Sequence, residues 1–265
     1  MNESLEITSS IMRPFGPTIL KVDIPNTLID NLLTLTDEIL GEEDFENYGR
    51  RLIGQIEKEP TVTAEQLKSI GLLSVFDSCV EGYVKNLLPQ VISNKIGTLG
   101  GSGEPKVKVQ MKDCWGVSQY SDEYNPAHYH GNCQISSVLY LKVPEFTPRN
   151  IEGKNNAIDG CIEFLHGGSA DPNSLIRPTF RVTPKVGDLY LFPSTLLHTV
   201  YPFKSIENKE RRSLAFNYTF KVFDTKTGAQ ILGDSVNATN GTVAGDLGNY
   251  GQISNFQKKL YGKNL

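Results

Sequence analysis

Four histidines occur in the chain, and three of them stand where their side chains can meet. His128 and His130 flank Tyr129, directly after a Pro126-Ala127 turn and before an apolar run. Residues i and i+2 of an extended chain share a face, so these two imidazoles can point at one place. His198 follows another strand-like run, Gly187 to Ser194, by a short loop. Two antiparallel strands would bring all three rings to one mouth, an arrangement that can hold a metal ion. His166 sits before Gly167-Gly168, away from this pattern, and is read as an ordinary rim residue.

Alternation around these histidines has a consistent sense. Continuing from His130, Asn132, Gln134, Ser136, Val138 and Tyr140 form one row, largely polar. Cys133, Ile135, Ser137, Leu139, Leu141 and Val143 form the other, largely apolar. Later in the chain, Arg211, Ser213, Ala215, Asn217 and Thr219 alternate with Leu214, Phe216, Tyr218 and Phe220. A polar row inside a barrel needs partners, because an unpaired buried polar group is costly. A bound polar ligand would supply them, and an arginine on such a row suits a carboxylate gripped by two hydrogen bonds.

The elements that must position these residues fall into two kinds. Up to about residue 100 the apolar spacing is helical. Leu28, Ile29, Leu32, Leu35, Ile39 and Leu40 make one stripe after Pro25-Asn26-Thr27, with Gly41 as its stop. Thr63-Ala64-Glu65-Gln66 fits a capping box. It opens a second stripe through Leu67, Ile70, Leu73, Phe76, Val80, Tyr83, Val84 and Leu87, which Pro89 is expected to end. A glycine-rich break follows at 97–105. Beyond it the period turns strand-like at 106–115, 134–143, 161–165, 179–183, 188–192 and 214–222, with turns at Asn125-Pro126, 167–169, 171–173 and 184–188. From about residue 228 the chain is rich in Gly, Asn, Thr and Ser.

These elements predict a mainly β fold with N-terminal helices packed on one sheet of a jelly roll. The expected organisation is a single domain over 1–265. It comprises a helical layer at 1–100, a jelly-roll core at 106–222 and a tail at 223–265.

The 265 residues suffice to bury a core without disulfides. A net charge of -4 argues against a broad nucleic-acid surface. The first 16 residues lack a basic segment followed by an apolar core, and no run nears the roughly 18 apolar residues of a membrane span. Cys79, Cys114, Cys133 and Cys161 are scattered, which reads as free thiols in a cytoplasmic protein. The expected partner is a small-molecule or peptide substrate, with no membrane. Oligomeric state is not legible.

The stretch Pro126-Ala127-His128-Tyr129-His130-Gly131-Asn132, followed by Ile135 to Leu141, resembles the first half of the signature of iron(II)/2-oxoglutarate oxygenases. More narrowly it resembles a microbial and phage group with a His-x-His pair. Pro184 to Asp188, Leu191 to Ser194, His198 and Arg211 to Asn217 resemble the second half, in the same order. The resemblance covers roughly residues 106–222. It implies a double-stranded β-helix core, with His128 and His198 as ligands of Fe(II). It also implies that Arg211, with Ser213 and Tyr140, holds the far carboxylate of 2-oxoglutarate. Hydroxylation with release of succinate and CO2 is the implied reaction. Arg212 competes with Arg211 for the carboxylate role, but alternation puts it on the apolar row.

One departure stands out. The usual second ligand is a carboxylate, and His130 occupies its place. Three readings stay open: His130 ligates the metal, His130 stands behind it, or Asp122 or Glu123 swings in. Two further functions compete. One is a three-histidine metal dioxygenase or cupin-type enzyme without 2-oxoglutarate. The other is a non-catalytic jelly-roll binding module. Arg211 has a clear task only in the first reading.

Overall fold

The computed structural model describes residues 16–96, 105–147, 158–167 and 178–233. The glycine-rich break, the turns expected at 168–173 and most of the C-terminal tail lie outside the described residues. Ten strands and three α-helices are described: β1 Leu20–Asp23, α1 Asn26–Gly41, α2 Ala64–Ser69, α3 Leu73–Ile96, β2 Lys106–Gln119, β3 Asn125–His128, β4 Ile135–Lys142, β5 Ile162–Leu165, β6 Thr179–Val182, β7 Asp188–Pro193, β8 Leu197–Val200, β9 Arg211–Phe223 and β10 Gln230–Gly233. Among the described residues no helix is long and apolar enough to cross a membrane.

All the strand pairing is antiparallel, in two sheets. The larger runs β1-β7-β4-β9, with β2 along the far edge of β9 and β10 extending the β4 side. The smaller runs β3-β8-β5-β6. This is the double-sheet jelly roll with helices on one face. The helices bury Leu32, Leu67 and Phe76 against Leu139, Leu189, Leu214 and Phe216 on the outer face of the larger sheet. The other face carries Val138, Tyr140, Tyr190 and Phe192, which pack on Ile162, Phe164 and Val200 of the smaller sheet. The alternation expected for 134–143 and 211–220 therefore holds, and it assigns each row to one of two cores.

Four expectations need correction. The second helical stripe is two helices. Gly71 adopts φ +74, in the left-handed region, and ends α2 before α3 begins. The Thr63 capping box is present, but it caps only the short α2. Helix α3 also continues through Pro89 to Ile96. A proline removes one rung of the hydrogen-bond ladder, while the turns on either side keep theirs. Asn125-Pro126 belongs to a strand, β3, rather than a turn, and it pairs with β8, which carries His198 just past the short loop. These two four-residue strands are too short to show a period and exist by pairing with each other. Finally, Cys133 is half-buried rather than a core residue. No disulfide joins any of the four cysteines.

Candidate metal centre and pocket

His128 and His198 are register partners on β3 and β8. Directly opposed residues of an antiparallel pair project side by side, and their ring centroids lie 4.2 Å apart. His130 is one residue beyond Tyr129 in the loop toward β4. Its backbone N–H donates to the Ser194 carbonyl at 2.9 Å, and the Ser194 hydroxyl donates to the Cys133 carbonyl at 2.7 Å. Those bonds stitch the loop to the end of β7. The ligand-capable atoms of His128, His130 and His198 all lie within 4.8 Å of one another.

Each ring is oriented from behind. Nδ1 of His128 lies 2.7 Å from the Pro126 carbonyl, and Nδ1 of His198 lies 2.9 Å from the Leu196 carbonyl. A carbonyl only accepts, so both Nδ1 atoms carry the proton and both Nε2 lone pairs are free. His130 is bonded to the Asn217 side chain, whose Oδ1 also accepts from the Ser136 hydroxyl at 2.8 Å. Burial lowers the pKa of all three histidines. For His130 the value falls to about 3, through burial and then the neighbouring His128. Three neutral imidazoles with inward lone pairs form a donor set suited to a divalent transition metal.

The carboxylates weighed as alternatives stand elsewhere. Asp122 pairs with Lys204 at 3.7 Å. Glu123 accepts from the backbone amides of Glu57 and Tyr120 at 3.0 and 2.7 Å. Among the described residues, no carboxylate joins the histidine cluster.

Arg211 and Arg212 separate to opposite faces of β9. Arg212 turns to the helices, where it bonds both oxygens of Glu210, Asp37 Oδ1 at 2.6 Å and Thr36 Oγ1 at 2.9 Å. Arg211 turns inward, is 2% exposed, and donates through Nη1 to the Gly160 carbonyl at 2.7 Å. Its Nε has no partner among the described residues. Its guanidinium lies 5.4 Å from the centre of the Tyr140 ring, and the fully buried Tyr140 hydroxyl is also unpartnered. Ser213 is buried opposite Tyr140 in the β4–β9 register. Two orphaned donors beside a buried cation lacking a carboxylate partner fit an incoming carboxylate. His166 is exposed, outside the cluster. Asp188 is structural: it accepts from the Tyr190 hydroxyl at 3.0 Å and pairs with Lys21 of β1 at 3.0 Å.

One pocket joins the three histidines and Arg211. Its outer wall comes from residues 47–62, to which the sequence analysis assigns no role. The Lys58 and Pro60 carbonyls accept from the Ser118 and Gly116 amides, so this segment covers the free edge of β2. Leu52 and Ile56 pack against Trp115, Val117 and Ala215. Trp115 is stacked between Tyr48 at 4.8 Å and His130 at 5.8 Å, so it braces the centre as well as filling space.

Glu59 lies on this wall, fully buried, with neither carboxyl oxygen bonded among the described residues. Burial, and then the charge on Glu123, push its pKa up to about 8. Nothing local marks it: Lys58-Glu59-Pro60 reads as a surface loop.

Residues 113–217 match the family model described as "Putative 2OG-Fe(II) oxygenase". The matched segment contains His128, His130, Tyr140, His198, Arg211 and Ser213. No curated protein matches the chain. Similar solved structures include a 2OG-Fe(II) oxygenase family oxidoreductase from Burkholderia pseudomallei, at 17% identity and TM-score 0.31, over 52% of this chain and 55% of that one. A prolyl-4-hydroxylase from Pseudomonas putida is similar at 17% identity and TM-score 0.40, over 75% and 91%. A prolyl hydroxylase from Trichoplax adhaerens, in complex with a hypoxia inducible factor peptide fragment, is similar at 16% identity and TM-score 0.45, over 76% and 82%. The chain spans about half the length of the first of these.

Proposed function

We propose that the chain is a non-haem Fe(II)- and 2-oxoglutarate-dependent oxygenase that hydroxylates its substrate, a reading supported by the match of residues 113–217 to the 2OG-Fe(II) oxygenase family model. The observation that carries the proposal is the gathering of three imidazoles in one pocket with a buried arginine that has no carboxylate partner among the described residues. Bound Fe(II), with 2-oxoglutarate and O2, supplies the oxidising chemistry, releasing succinate and CO2.

The chain's own residues bind, orient and shield. His128, His130 and His198 would hold the metal. Their back-side bonds to Pro126, Leu196 and Asn217 fix the tautomers and ring planes before the metal arrives. Arg211 Nε and the Tyr140 hydroxyl would donate to the far carboxylate of 2-oxoglutarate, with Ser213 beside them. Three imidazoles bring no negative charge to the metal, so the dianionic co-substrate provides the neutralisation that a protein carboxylate usually shares. Phe164 and Phe192 lie 6.1 and 5.0 Å from the His198 ring and keep water from that side.

One observation favours a second reading: the absence of a carboxylate from the cluster also suits a three-histidine dioxygenase that uses no 2-oxoglutarate. The unpartnered Arg211 and Tyr140 weigh toward the first. We further propose that the chain works as one domain in the cytoplasm. In support, a single apolar cluster joins the helices to the larger sheet, and no disulfide links the four cysteines.

The test is an anaerobic titration with Fe(II), then 2-oxoglutarate, followed in the visible spectrum. A weak charge-transfer band that needs both additions, and is lost in His198→Ala, is the expected result. Iron binding without a band at saturating 2-oxoglutarate would favour the second reading. No metal binding would remove both.

A further inference from the structure

Glu59 is the one fully buried carboxyl on the described pocket wall, and none of the described residues bonds its oxygens. The wall is built to keep space around it. A Cβ at Gly49 would approach Glu59 Oε2 to 2.6 Å. A Cβ at Gly54 would lie 3.7 Å from the same oxygen and would collide with Asn125 Oδ1. The two glycines thus leave the carboxyl room, and Gly54 does so on the pocket wall itself. Among the described residues no hydrogen-bond donor reaches either carboxyl oxygen, and the like charge of Glu123 bears on it. Glu59 does not belong to the histidine cluster, so it is not held as a ligand of the metal.

The pocket therefore has three polar stations: the histidines, Arg211, which has Tyr140 against its guanidinium, and Glu59. The first two are accounted for by the proposed metal and 2-oxoglutarate, and the third is left over. A buried carboxyl lacking donors is costly, and the cost is relieved by a group that brings donors and, best, a positive charge. We infer that Glu59 is the substrate-recognising residue of this pocket, accepting a cationic nitrogen, an ammonium or guanidinium, at the end of the substrate remote from the reacting carbon. The inference rests on the oxygenase reading for which end reacts. Leu52, Ile53 and Val117 line the same pocket and suit an aliphatic stem on that cation. Before substrate arrives, the raised pKa leaves Glu59 largely protonated near neutrality; pairing with a cation releases that proton to solvent.

Calorimetric titration of the anaerobic chain, loaded with Fe(II) and 2-oxoglutarate, tests this directly. The probes are n-butylammonium, n-butylguanidinium and the neutral isostere n-butylurea. Wild type is expected to bind a cation at least about tenfold tighter than the urea, as a charge-assisted pair would give. Glu59→Gln should lose that preference while keeping the charge-transfer band. A second measurement needs no variant: repeating the wild-type titration at pH 7 in two buffers of different ionisation enthalpy should reveal release of about one proton per cation bound, and none for the urea. Equal binding of cation and urea, no binding of either, a preference that survives in Glu59→Gln, or no proton release would each overturn the inference. If the band is present and the preference absent, the Glu59 assignment fails alone. If the band itself is absent, the oxygenase reading fails first.

Discussion

Arg211 and Arg212 are neighbours in sequence and opposites in role, because one step along a strand changes the face. Arg212 closes an ion-pair network between β9 and α1, so Arg212→Ala should cost on the order of 2 kcal/mol in urea unfolding, leaving the half-buried Glu210 only Lys142, at 3.3 Å, as a cation. It should leave 2-oxoglutarate affinity unchanged. Arg211→Ala should do the reverse: little loss of stability, since its Nε is unpartnered, and at least about tenfold weaker 2-oxoglutarate binding in the spectral titration. Glu59 makes a pH prediction. Its folded pKa of about 8 stands above the usual carboxylate value, so between roughly pH 4.5 and 8 the folded state holds a proton that the unfolded state has lost. Stability therefore falls as pH rises through that window, by up to about 1.4 kcal/mol per pH unit. Unfolding midpoints at pH 5 and 8 should differ more for wild type than for Glu59→Gln; equal differences would show that the carboxyl is solvated.

At the scale of elements, short pieces that pair across the fold position the site. β3 and β8 are four residues each, yet their register sets His128 opposite His198. The segment 47–62 has little regular structure beyond a short 3-10 turn at Tyr48–Arg51, and it holds its place by bonding to β2 and stacking Tyr48 on Trp115. In the helical layer, Gly71 divides what reads as one stripe. An added Cβ there meets nothing within 4 Å, so Gly71→Ala should cost about 1 kcal/mol purely through its left-handed backbone. Chemical denaturation would measure this, and no change would mean that the turn relaxes freely.

Across the whole molecule, the larger sheet is shared by two cores. Leu139 is fully buried toward the helices, while its neighbour Tyr140 is fully buried toward the smaller sheet. Leu139→Ala should therefore lower stability by about 3 kcal/mol and move the site's properties little. Metal should act on the whole fold by linkage. Zn(II) at about a hundred times its dissociation constant should add about 2.7 kcal/mol of stability, seen as a raised Tm. His198→Ala should abolish that rise, and an unchanged Tm in wild type would count against a preformed metal site.

What the sequence by itself determined is what local periodicity and motif order can carry. The alternation along β4 and β9, the helical stripes before the strands and the inward phase of Arg211 follow from side-chain direction within one element, and the order of the motif singled out His128, His130 and His198. Only the tertiary structure decided the rest. The break at Gly71 and the strands β1, β3, β8 and β10 were not legible, because runs of four residues have no period and acquire their form from a partner. Asp122 and Glu123 looked available as ligands until their bonds to Lys204 and to backbone amides were visible. Glu59 was silent, since its burial comes from a segment laid against the edge of β2, more than fifty residues away in the chain. A side chain's direction is a local property; its solvent and its partners are set by whatever the rest of the chain brings beside it.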